Sequence, residues 1–135
     1  MDKGSRPDMD IAQIPGQLLQ NEPDIAFAVL IGSQASHTAR PGSDWDIAVQ
    51  WVAQLDWITV LGKTETLRRK MAEAMGVALE KIDLIELRHA NLAMRADVAE
   101  TGLPLKGEET LEWARFLTRT WRELEDFYWE KSHAA

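Results

Sequence analysis

The chain has 135 residues, enough for one compact domain, and carries 15 Lys and Arg against 22 Asp and Glu, a formal net charge of −7. Its 45% hydrophobic content is too high for disorder, while its longest apolar run, seven residues, is far too short to cross a bilayer. The acidic balance opposes direct nucleic-acid binding, which rests on Lys and Arg neutralising phosphates, and cysteine is absent, so disulfides and thiolate metal sites are excluded.

In chain order, residues 1–8 read as a flexible tail with no leader-like apolar core, ahead of a single domain over 9–135. These traits together predict a cytoplasmic protein without membrane or direct nucleic-acid partners. Residues 9–20 read as partly helical, with Pro15-Gly16 interrupting the pattern, and Asn21-Glu22-Pro23-Asp24 reads as a turn. Ile25 to Ile31 is a strand apolar on both faces, hence central in its sheet. Gly32-Ser33 opens a short helix that ends near Ala39, before Arg40-Pro41-Gly42.

Ser43 to Trp51 then alternates. Trp45, Ile47, Val49 and Trp51 share one face, and Asp44, Asp46, Ala48 and Gln50 the other. The apolar face should pack on helices, leaving the acidic face for something other than core. Residues 57–75 form a predicted helix with a stripe of Leu61, Leu67, Met71, Ala74 and Met75 and a terminating Gly76. Lys81 to Leu87 is a third strand that carries Asp83 inside an apolar run, and 89–100 is a further helix. Leu103-Pro104-Leu105 is an edge segment, because proline cannot donate to a ladder. Residues 108–131 form a long closing helix holding six of the ten aromatic residues. The predicted class is α+β: a small mixed sheet in a two-layer arrangement, with helices packed on one face.

The chemistry concentrates at 32–46. Side chains two apart on a strand face stand ~7 Å apart, so Asp44 and Asp46 can reach a shared point, and Asp83 from a neighbouring strand can join them. Three clustered carboxylates repel one another unless cations neutralise them. Mg²⁺ suits such a site, since it takes oxygen ligands and keeps positions for water and phosphates. Two such ions ~4 Å apart stabilise the attacking and leaving oxygens of displacement at phosphorus. Gly32 lets backbone approach a triphosphate, Ser33 and the helix start offer donors, and Arg40 is a candidate phosphate contact. Each piece alone has an ordinary explanation: Gly-Ser is a common turn, and Asp-x-Asp is more often a solvated strand face. The joint arrangement is what carries weight.

With Gly32-Ser33, a gap, Asp44-x-Asp46 and a later Asp83, the chain resembles the nucleotidyltransferases of the DNA polymerase β superfamily, and among them the minimal MntA-type antitoxins. The resemblance covers roughly residues 25–106. It implies the polymerase β-like palm fold, Gly32 and Ser33 at the triphosphate of ATP, and Asp44, Asp46 and Asp83 as catalytic carboxylates and Mg²⁺ ligands. It also implies a HEPN-domain RNase toxin as partner, silenced by transfer of AMP to a tyrosine, with Asp83 helping to activate the attacking hydroxyl. One departure stands out: where the family often reads Ala-Arg-Gly after Gly-Ser, this chain reads Ala35-Ser36-His37, which removes a cation that Arg40 could replace. Two alternatives stay open, a small-molecule hydroxyl as acceptor and neutralisation of the partner by binding alone. The aromatic residues of helix 108–131 fit either a partner surface or simple core packing.

Overall fold

A computed structural model describes residues 11–134, so the predicted tail over 1–8 and the start of the first predicted helix lie outside the described residues. Four strands, β1 (Ile25–Ile31), β2 (Trp45–Trp51), β3 (Ile82–Glu86) and β4 (Leu103–Lys106), form one mixed sheet in the order β3-β2-β1-β4. β1 pairs antiparallel with β2 and β4, whereas β2 pairs parallel with β3. β1 is central, as its apolar faces predict, and β4 is an edge. Five helices accompany the sheet: α1 (Ile14–Gln20), α2 (Ser33–Ser36), α3 (Trp57–Met75), α4 (Leu92–Thr101) and α5 (Leu111–His133). Pro15 does not interrupt α1. It occupies the first turn, where its missing N–H has no intrahelical partner to lose.

The alternation of β2 is reproduced in burial: Trp45, Ile47, Val49 and Trp51 are all buried, in one cluster with Leu19 of α1 and Val60, Leu67, Met71 and Met75 of α3. Trp51 also satisfies its indole N–H, which donates to Thr64 Oγ1 at 3.0 Å. The apolar stripe of α3 differs from the expected one by small rotations. Val60 and Ala72 are buried, while Leu61 is 49% exposed and Ala74 also faces solvent. Asp56 caps this helix by accepting the Thr59 amide at 2.7 Å.

The α+β class holds, but helices do not keep to one face. A second cluster joins Phe27, Val29 and Ile31 of β1 and Ala48 of β2 to Val98 of α4 and Phe116 of α5. The reason is already in β1: a strand apolar on both sides must be covered on both sides. The acidic face of β2 is therefore open only beyond this second layer. Among the described residues, no helix is long and apolar enough to cross a membrane.

His37 is the one non-glycine with positive φ among the described residues, at φ 62° and ψ 29°, closing α2 with its amide donating to Ser33 O. A left-handed conformation costs an L-residue about 1–2 kcal/mol, and part of that gain is offset when glycine, more flexible in the unfolded chain, replaces it. A His37→Gly chain should therefore be more stable by about 0.5–1 kcal/mol. Paired thermal melts check this; a lower melting temperature for the glycine chain contradicts it.

Candidate active site

Strand register assembles the carboxylates. In the parallel β2–β3 pair Asp46 is the partner of Asp83, and in the antiparallel β1–β2 pair it is the partner of Ile31, the residue before Gly32. Asp46 is thus flanked by Asp83 on one side and by the glycine–serine turn on the other. Asp44 lies just ahead of β2 and is exposed. Gly32 is needed at this point for two reasons. Its φ is 77°, and a Cβ built on it would lie 2.7 Å from Asp46 Oδ2. Its absent side chain leaves the space that the Asp46 carboxylate fills.

The electrostatics follow from this crowding. The Asp46 carboxyl is held above the ordinary carboxylate range, first by partial burial and then by the like charges of Asp83 and Asp44. A cationic ligand is the natural relief for such a group. Donor chemistry and shared register fit a divalent ion held by Asp44, Asp46 and Asp83. The side chains as they stand are not gathered on a single point. Among the described residues no group of three His, Asp or Glu is closed enough to hold a metal, and Asp44 leans to Lys81, with Nζ 3.8 Å from Oδ1.

Asp83 is exposed because β3 is a sheet edge, so its charge sits in water rather than in the apolar interior that its neighbours in sequence imply. Ser33 begins α2 beside Gly32, which has no side chain to cap the first amides. The Ala35 and Ser36 amides turn inward to Gly32 O at 3.1 Å each. Arg40 is exposed in a tight turn: its amide donates to Ser43 Oγ at 2.8 Å, and the Ser43 amide donates back to Arg40 O at 2.9 Å. This turn delivers the chain to Asp44, but no contact brings the Arg40 guanidinium to the carboxylates.

Two residues escaped sequence reasoning. Lys81 faces Asp44, and its place two residues before Asp83 was the signal available. Arg68 of α3 left no signal, reading as one more charge on a helix surface. Its Nε donates to Ile82 O at 2.8 Å and its Nη2 to Leu79 O at 3.0 Å, so it holds the backbone that immediately precedes Asp83. It is a positioning residue. Arg68→Ala should cost about 1.5–3 kcal/mol, the worth of hydrogen bonds from a charged donor, and displace Asp83. Arg68→Lys, which cannot reproduce the planar fork, should fall between the two in melting temperature. Equal melting temperatures for all three chains would remove this role.

Residues 16–110 match the family model described as polymerase beta, nucleotidyltransferase, and the chain belongs to that family. Its fold is similar to that of a chain in a crystal structure of a toxin–antitoxin with AMP-PNP, with 27% identity, a TM-score of 0.68, and coverage of 92% of this chain and 94% of that one. A mutant of the toxin–antitoxin MntA–HpeT is similar at 25% identity and TM-score 0.68, again covering 92% and 94% of the two chains. The fold is shared as well with a structure of the tri-AMPylated Shewanella oneidensis HEPN toxin in complex with MNT antitoxin, at 23% identity, TM-score 0.63, and 91% and 93% coverage. No curated protein matches the chain.

Proposed function

We propose that this chain, over residues 9–135, is the antitoxin of a cytoplasmic toxin–antitoxin pair and silences a cognate HEPN RNase toxin by transferring AMP from ATP to a hydroxyl, that of a tyrosine, on it. The observation that carries the reading is the register pairing of Asp46 with Asp83 directly beside Gly32, which puts paired acids next to a turn without a Cβ. The AMP-PNP of one similar structure and the AMPylated HEPN toxin of another support this choice of nucleotide and partner class.

In the transfer, the hydroxyl oxygen forms a bond to the α-phosphorus of ATP while the bridging bond to the β-phosphate breaks and pyrophosphate leaves. Asp83 takes up the proton of the hydroxyl. Gly32 and the Ser33 amide and hydroxyl receive the triphosphate, and Arg40 lies on the loop at its approach. Asp44, Asp46 and Asp83 would hold Mg²⁺, two ions in the full site, whose chemistry there is to offset the charge of carboxylates and phosphates. The last turns of α5 supply a partner surface: Phe127, Tyr128 and Trp129 are 49%, 63% and 61% exposed.

Incubation with labelled ATP, Mg²⁺ and the product of the neighbouring reading frame tests the proposal. Label should pass to the partner with the native chain and not with Asp44→Ala. A second reading, neutralisation by binding alone, is favoured by the lean of Asp44 toward Lys81 instead of toward the other acids. It predicts that toxin neutralisation survives Asp44→Ala combined with Asp46→Ala.

A further inference from the structure

At the far end of β2 from the carboxylates, a groove of about 740 Å³ opens between the β2–α3 loop and the first half of α5. None of Asp44, Asp46 and Asp83 lines it. Its inner wall includes Phe27, Trp51 and Phe116, all nearly buried, and α5 contributes Arg115, Arg119 and Arg122. Spacings of four and three place those arginines on one helix face. Among the described residues, Glu112 is the only acid lining the groove. Glu123, next to Arg119 at 3.8 Å, is already engaged by Arg95 at 2.7 Å. A chain of net charge −7 thus concentrates three cations around one apolar hollow.

We propose that this groove is a binding site for a small phosphate-bearing ligand with an apolar or aromatic body, of about mononucleotide size. The volume falls within the roughly 300–1,000 Å³ of small-molecule sites. Guanidinium forks match phosphate oxygens bidentately, and the exposed apolar side chains of Leu111 and Ala114 in the lining suit an apolar body. A peptide fits less well, because β1 and β2 are both interior strands and offer no edge to which an extended chain could add. The site is separate from the nucleotide consumed at the carboxylates: Gln50, on its border, is four residues along β2 from Asp46, about 13 Å. It does not rest on the antitoxin reading.

The test uses the full chain carrying Asp44→Asn and Asp46→Asn, so that the carboxylate site is disabled, titrated separately with AMP and with pyrophosphate. AMP should bind, more weakly as salt rises, and pyrophosphate should compete with it. Adding Arg115→Ala with Arg122→Ala should weaken AMP at least tenfold, and the corresponding lysine pair should fall between, with melting temperatures unchanged because both side chains are exposed. Failure of AMP and pyrophosphate to bind, or binding indifferent to the arginines, overturns the proposal. So does arginine-dependent capture of a polyglutamate peptide without binding of either phosphate probe, which would mark a protein-docking surface instead.

Discussion

A Gly107→Ala chain is expected to lose about 3 kcal/mol of folding stability, a fall of about 10 °C in melting temperature. Gly107 is buried between β4 and α5 at φ 78°, where a side chain costs about 1–2 kcal/mol in backbone strain alone. The Cβ would also press against the Ala26 carbonyl oxygen and come 2.8 Å from Phe27 Cβ. Neither neighbour can move aside, since Ala26 and Phe27 belong to the central strand. The joint matters further because the Gly107 carbonyl accepts the Thr110 hydroxyl at 2.6 Å, and Thr110 caps α5 by accepting the Trp113 amide. Gly62→Ala is the control: it lies within α3 with nothing inside 4 Å of its added methyl, and should stabilise by about 0.5–1 kcal/mol. Melts in which both alanine chains shift alike would refute the steric argument.

Asp46→Asn should reduce the proposed AMP transfer by about 10²–10³-fold or more, while making the metal-free protein more stable at neutral pH. The two effects share one cause. The folded-state pKa of Asp46 is raised by burial and by Asp83 and Asp44, so the native chain is most stable with this carboxyl protonated. Stability is fully present below the unfolded pKa and is lost as pH rises through the higher folded value. Asparagine does not ionise and is spared that loss. The advantage of the variant should therefore grow from acid pH toward neutrality and shrink when Mg²⁺ is added, which relieves the native chain alone. Melts across pH, with and without Mg²⁺, read both trends. A variant less stable than the native chain at pH 7 without metal would contradict the crowding seen around Gly32.

The parts legible in the sequence are those where a period or a backbone requirement leaves few alternatives. The run from Ile25 to Ile31 defines β1 at its observed limits, and the alternation from Ser43 to Trp51 contains β2, which begins two residues later at Trp45. Asp46 was readable as a candidate site residue because the acid follows Gly-Ser on the otherwise alternating strand, together with a later acid at 83. What was not legible depends on neighbours distant in sequence. Helices on both faces follow from long-range packing, although the doubly apolar β1 already required it. The rotation of α3 that buries Val60 and exposes Leu61 depends on the sheet beneath it, and a stripe containing both residues cannot decide between them. Lys81 facing Asp44 and Arg68 gripping Ile82 are fixed by the β2–β3 register and by the seat of α3, neither of which a local pattern encodes.

Among the described residues, β3 ends the sheet with one row of amides and carbonyls unmatched by any strand. Ile82, Leu84 and Ile85 around Asp83 would otherwise make that border an invitation to strands from other molecules. The same acid that is proposed to take up a proton therefore also discourages self-association, and hydrophobic replacements at 83 would confuse lost chemistry with clumping. Asparagine, polar and of equal size, separates the two duties.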